Sequence, residues 1–224
     1  MTHLERPAGH PCDQASRGLM EEQVTFSIGA EIGGTLAALQ AVLTPNFLAG
    51  IDPIAHSLAE ALRSGGKLLI MGNGGSAADA QHIAAELVGR YKVERPGLAA
   101  IALSTDSSIL TAWSNDYSYE TVFSRQIEAL ARPGDVAWGI STSGNSVNVI
   151  RAFEAARTIG ATTFGLLGRD GGKLAPLCDL AITVPLAETD RIQTAHLLVY
   201  HALCAYLDEA FRPLNTFAGG NADG

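Results

Sequence analysis

The chain predicts an α/β fold, a three-layer αβα sandwich around a five-stranded parallel sheet with helices ahead of it. From Lys67 onward, short apolar runs alternate with segments of helical periodicity. That is the pattern of βαβ units whose parallel sheet is covered on both faces. Two of the runs end in loops of glycine, serine and asparagine that open directly into helix-like segments. The length of 224 residues at 47% hydrophobic content suits one well-buried domain and leaves little room for a second.

Each element has its own signal. Residues 1–25 are polar and punctuated by Pro7, Gly9 and Pro11, so they are expected to form a tail, as are residues 213–224. A single domain with an N-terminal helical pair is expected over residues 26–212. Residues 26–43 and 51–63 carry apolar side chains at helical spacing, broken by Pro45 and the Ala49-Gly50 pair. The apolar face with Leu36, Leu39, Val42 and Leu43 exceeds what one sheet face would hide, which predicts subunit packing. Strands are expected over residues 67–72, 98–104, 135–141, 162–168 and 180–184. Helices are expected between them, including 77–90 and 147–158, and a last helix over 189–211 that stops before Pro213.

Composition excludes several classes of function. A net charge of −8 with pI near 5.2 removes the general attraction that nucleic acid or an anionic membrane surface requires. Neither is expected as a partner, and an anionic substrate must be held by a local site. Cys12, Cys178 and Cys204 have no CxxC spacing and read as free thiols. The N-terminal residues contain no apolar h-region, and no run approaches the roughly 20 apolar residues of a membrane span. A cytoplasmic protein is expected.

The chemistry lies in the two loops. Gly72-Asn73-Gly74-Gly75-Ser76 closes the apolar run Leu68-Leu69-Ile70-Met71 and opens a segment carrying His82 and Glu86 four positions apart. A glycine turn at a helix start cradles an anion, and the i, i+4 spacing puts the imidazole and the carboxylate on one helix face. Ser141-Thr142-Ser143-Gly144-Asn145-Ser146 repeats the logic after the second apolar run, with hydroxyls and backbone N–H groups that suit phosphate oxygens. In open α/β sheets ligands bind beyond the carboxyl ends of the strands, where both loops fall.

These motifs resemble the sugar isomerase (SIS) fold and, within it, the bacterial phosphoheptose isomerases. The resemblance runs from about residue 28 to 211. The two loops carry it, with Asp79-Ala80-Gln81-His82, Glu86-Leu87, Gly89-Arg90-Tyr91, Arg95-Pro96-Gly97, Asn115-Asp116, Asp170-Gly171-Gly172, and Asp190-Arg191-Ile192-Gln193 with His201. It implies an aldose–ketose isomerase acting on sedoheptulose 7-phosphate, with Glu86 as base and His201 as partnering acid. It implies zinc at His82, Glu86, Gln193 and His201, and a homotetramer with active sites between subunits. Substrate contacts would come from Asn73, Gly74, Gly75, Ser76, Arg90, Asn115, Asp116, Ser141, Thr142, Ser143, Ser146 and Gln193.

One spacing sits badly with that zinc set. Gln193 and His201 are eight residues apart, about 12 Å along a regular helix, so either the first turn is irregular or ligands come from neighbouring subunits. Arg90 and Asp116 have an alternative as partners of other charges, Lys173 reads as a solvated loop charge, and His196 reads as a packed, hydrogen-bonded core histidine. Two competing readings stay open. The chain also resembles the replication-initiator-associating branch of the same fold in Ser76-Ala77-Ala78, Ala102-Leu103-Ser104-Thr105-Asp106 and Leu110-Thr111-Ala112. That branch lacks the counterparts of Glu86, Ser143 and His201. The other reading is an isomerase of a shorter phosphosugar.

Overall fold

The computed structural model of the chain describes residues 26–213. The expected tails at 1–25, with His3, His10 and Cys12, and at 214–224 lie outside the described residues. The chain divides into two compact units after Gly34. Of the first, the described part is the stretch up to Gly34, which includes the start of α1 (Ile28–Val42).

The second unit continues through α2 (Pro45–Ala49), α3 (Asp52–Arg63), β1 (Leu68–Gly72), α4 (Gly75–Val88), β2 (Ala100–Ala102), α5 (Ser107–Asp116) and α6 (Val122–Leu130). Then come β3 (Val136–Ser141), α7 (Val147–Ile159), β4 (Thr162–Gly168), β5 (Leu180–Val184) and α8 (Thr189–Ala210). The sheet is five-stranded and parallel throughout, in the order β2-β1-β3-β4-β5. The strand order reverses between β1 and β3. In doubly wound sheets that switch point opens a crevice at the carboxyl ends of the two strands.

Every residue of β1 and β3 is buried, which is why both read as unbroken apolar runs. Side chains alternate between two cores. Leu68 and Ile70 join Leu58 of α3, Ile83 and Leu87 of α4, and Tyr200 and Leu203 of α8. Leu69 and Met71 join Phe123 and Ile127 of α6 and Val149 and Phe153 of α7. At the amino ends, buried Asp135 accepts hydrogen bonds from Lys67 N (2.9 Å), Lys67 Nζ (2.6 Å) and Arg132 N (2.7 Å), tying β1 to β3.

Some expected elements differ. The segment around Pro45 is a helix start as well as a break: Thr44 Oγ1 accepts Phe47 N at 3.3 Å and Pro45 occupies the first turn, where its missing N–H is harmless. β2 is a three-residue edge strand where seven residues were expected, because only Ala100, Ile101 and Ala102 pair with β1. α4 begins at Gly75, two residues early. Leu39 and Val42 of α1 pack on Val184, Ile192 and Ala195, and half-buried Leu43 packs against them, so three of the four side chains expected at a subunit interface pack on the chain's own core. Leu36 is exposed. No single helix among the described residues is long and apolar enough to cross a membrane.

His196 is the core histidine its context predicts. It is fully buried, and Nε2 lies 2.9 Å from the Leu167 carbonyl that it donates to. Burial lowers its pKa from 6.5 to about 4, against the opposing pull of that carbonyl. The unfolded chain therefore takes up a proton near pH 6.5 and the folded chain only near pH 4. This contribution to stability is complete above 6.5 and fades as pH falls through that window, by roughly 3 kcal/mol at its foot. The stability gap between wild type and His196→Gln, from urea unfolding, should narrow between pH 7.5 and pH 5. A constant gap would place the titration elsewhere.

Candidate active site

The carboxyl ends of β1 and β3 hold the two glycine- and serine-rich loops next to each other. The chain leaves β1 through Asn73 and Gly74, the latter at φ 57°, and enters α4 with Ser76 N bonded to Asn73 O at 3.0 Å. After β3, Gly144 takes φ 64°, and a Cβ there would fall on the Gly171 carbonyl, so only glycine lets the second loop lie against the 171–172 turn. Ser141 and Ser146 hydroxyls bond each other at 2.9 Å, and Ser143 Oγ accepts Asn145 N at 3.1 Å.

A pair of amides holds the loops in register. Asn73 Nδ2 donates to Asn148 Oδ1 and Asn148 Nδ2 donates to Asn73 Oδ1, both at 2.9 Å, while the Tyr119 hydroxyl donates to the same Asn73 oxygen at 3.0 Å. The Asn73 carbonyl is thereby saturated and only one amide N–H remains. Its side chain is a tie between the loops as well as the substrate-contact candidate that the resemblance implies. Gln193 of α8 closes over the first loop, where a Cβ at Gly75 would strike its Nε2.

The candidate acid/base groups lie further along the same two helices. Seven residues beyond the Gly75–Gln193 contact on each helix, about 10 Å, His82 meets Tyr200. His82 Nε2 is 3.0 Å from Glu86 Oε1, and its Nδ1 is 3.1 Å from the Tyr200 hydroxyl. The His201 ring stands edge-on to His82 at 5.1 Å and stacks on Tyr91 at 5.4 Å. Burial, reinforced by neighbouring His82, lowers the His201 pKa and favours a neutral imidazole. Burial raises the Asp79 carboxyl, whose Oδ1 is 3.3 Å from the Tyr200 hydroxyl.

A buried ion pair fixes this end of α4. Arg95 and Asp208 side chains are almost wholly buried and meet at 2.9 Å. Arg95 also donates to the carbonyls of Glu86, Leu87, Gly89 and Pro96. Asp208 accepts the backbone N–H groups of Tyr91, Lys92 and Val93. Burial works to raise its pKa, but those three N–H groups and the guanidinium together hold it below the usual carboxylate value.

Of the expected site residues, Asn73, Gly74, Gly75, Ser76, Ser141, Thr142, Ser143 and Ser146 line the paired loops, and His82, Glu86 and His201 gather two turns away. Three do not join them within the chain. Arg90 is exposed and pairs with Glu94 at 2.7 Å. Asn115 and Asp116 bond each other at the exposed end of α5. α8 is regular from Thr189, so an irregular first turn does not rescue Gln193 as a fourth metal ligand; the rise between it and His201 keeps it at the loop. Among the described residues no three His, Cys, Asp or Glu side chains converge as a metal site requires, although His82, Glu86 and His201 are neighbours of the right chemical types.

Asn148, Tyr119 and Tyr200 are functional candidates that sequence reasoning missed. Their partners are far away in the chain; the one local signal was the position of Tyr200 beside His201.

Comparison with known proteins agrees with this architecture. Residues 34–168 match the family model described as "SIS domain". The chain is 54% identical over 188 residues to a phosphoheptose isomerase of Geotalea daltonii, covering 84% of this chain and 90% of that one. It superposes on the phosphoheptose isomerase structure from Neisseria gonorrhoeae with TM-score 0.76 at 44% identity, covering 81% of this chain and 97% of the other. The corresponding structure from Francisella tularensis gives TM-score 0.76 at 33% identity, covering 81% and 96%. The fold and the paired loops define an SIS-domain protein. Within that class, the chain belongs to the phosphoheptose isomerase family.

Asn148→Ala would leave the Asn73 amide without its partner and loosen the register of the two loops. KM for a phosphosugar should rise and kcat/KM fall roughly ten-fold or more, since small displacements of a binding frame are costly. An unchanged KM would show that the register is set by other contacts.

Proposed function

We propose that the chain interconverts sedoheptulose 7-phosphate and D-glycero-D-manno-heptose 7-phosphate through an enediol(ate). The observation that carries this reading is the placement of His82 and Glu86 two to three turns along α4, the helix that opens at the first loop, with His201 of α8 beside them. Family membership supports the same substrate class. The loops would hold the phosphate with backbone N–H groups and the Ser143 and Thr142 hydroxyls. Glu86 takes a proton from C1 of the ketose while His201 gives one to the C2 oxygen. Loss of the O1 proton and return of the carbon-bound proton to C2 complete the aldose, so no outside oxidant or reductant is needed.

Zinc is part of the proposal. His82, His201 and Glu86 are the imidazole and carboxylate donors this ion takes, and Gln193 joins them only if supplied by another subunit. Bound there, zinc would act as a Lewis acid toward the carbonyl and enediolate oxygens. A homotetramer is proposed as well. Leu36, Val88, Leu197 and Leu198 are large apolar side chains left exposed, and soluble oligomers of such domains close symmetrically. The free thiols Cys178 and Cys204 support a cytoplasmic setting.

Glu86→Gln keeps the shape and loses the base, so turnover of sedoheptulose 7-phosphate should fall by about 10² or more. Near-normal activity would sink the assignment. Assayed beside ribulose 5-phosphate and fructose 6-phosphate, the heptose phosphate should be the preferred substrate. Protein purified without chelator should carry zinc that is lost in a His82→Ala variant; full activity of metal-free protein would mean that the acid/base groups act alone.

A further inference from the structure

We propose that Tyr119 is a substrate-binding residue whose phenolic oxygen accepts a hydrogen bond from a hydroxyl of the sugar chain, while its own proton is held by Asn73. The proposal rests on the reading of the paired loops as a phosphosugar site and names a group that meets the sugar rather than the phosphate. Tyr119 opens the single 3-10 turn Tyr119–Thr121 between α5 and α6, and its ring lies against that of Phe123 at 6.4 Å. The side chain is 49% exposed, yet its hydroxyl reaches the first loop, 3.0 Å from Asn73 Oδ1.

The direction of that hydrogen bond is set from the core outward. The backbone N–H of Val149 faces Asn148 Oδ1 at 3.0 Å. A backbone N–H only donates, so the Asn148 amide cannot be turned over without setting two donors against each other. Asn73 then presents Nδ2 to Asn148 Oδ1 and receives Asn148 Nδ2 on its own Oδ1, each at 2.9 Å. With Asn73 fixed in this way, the Tyr119 hydroxyl meets a carbonyl oxygen and donates its one proton to it. The phenolic oxygen keeps its lone pairs, and among the described residues it makes no second hydrogen bond. Toward a ligand it can only accept. A phosphate monoester dianion has no proton to give, whereas a sugar chain carries a hydroxyl donor on nearly every carbon, so this polarity selects the sugar end of a phosphosugar.

The test is titration calorimetry at about pH 8, where phosphate monoesters are dianions, with two ligands that the protein cannot isomerise. One is the heptitol phosphate mixture from borohydride reduction of sedoheptulose 7-phosphate, which keeps the sugar hydroxyls and lacks the carbonyl. The other is methyl phosphate, which has no sugar hydroxyl. Wild type should bind the heptitol phosphate more tightly. Tyr119→Phe, which keeps the ring on Phe123, should weaken that binding by roughly 3–10-fold, the worth of one neutral hydrogen bond. Its affinity for methyl phosphate should not change, because Val149 and Asn148 still hold Asn73. Thermal melting monitors folding of the variant. Equal weakening of both ligands would make Tyr119 a prop of the loop, and no weakening of either would mean that its oxygen meets no sugar hydroxyl; each overturns the proposal alone. A wild type that binds neither ligand would sink the phosphosugar reading and the proposal with it.

Discussion

The buried pair of Arg95 and Asp208 is the constraint on which the His82, Glu86 and His201 end of the site depends. Each charge is taken from water, and each is compensated almost completely: Arg95 by four carbonyl oxygens and Asp208 by three backbone N–H groups besides their mutual contact. Removing one partner leaves an uncompensated buried charge, an effect of about 3–5 kcal/mol. The geometric consequence is more specific than the energy. The clamp holds the Glu86 carbonyl and the backbone of Tyr91, whose ring backs His201. The backbone of Glu86 and the ring that backs His201 are thus both set by one ion pair.

The opposite end of the site is organised by neutral contacts. Reciprocal amides of Asn73 and Asn148 join two loops that leave different strands, and the Ser141–Ser146 bond shapes the second loop from within. Neutral ties suit an anion cradle, since a fixed carboxylate there would repel phosphate and a fixed cation would bind it without directing it. The partial positive ends of α4 and α7 then supply the field.

Much of the fold was legible because parallel strands buried on both faces must be apolar along their whole length. β4 and β5 have the expected bounds, and β1 and β3 differ by one residue at their starts. β2 was overestimated because Leu98 and Leu103 are buried without belonging to the ladder. α2 was hidden because Pro45 marks a helix start as readily as a break. The chemistry was legible where its parts are close in sequence, as with His82 and Glu86 on one helix face. The ties that organise the site join Asn73 to Asn148, Arg95 to Asp208 and His82 to Tyr200, across 75, 113 and 118 residues, and no periodicity records such pairings. Arg90 and Asp116 illustrate the converse: motif residues whose side chains the folded chain spends on nearby partners.

The parallel course of α4 and α8 makes the pair a ruler. Both helices contribute to the loop end of the site, through Gly75 and Gln193, and both contribute to the imidazole end, through His82 and His201. The separation between the two ends is therefore counted in whole helical turns on two rods at once. A loop flexes continuously, but a rod lengthens only by a turn, with a matching change in its neighbour. The distance between the Gly75–Gln193 contact and the His82–Tyr200 contact is therefore a property of the scaffold, which individual side chains can refine but not reset.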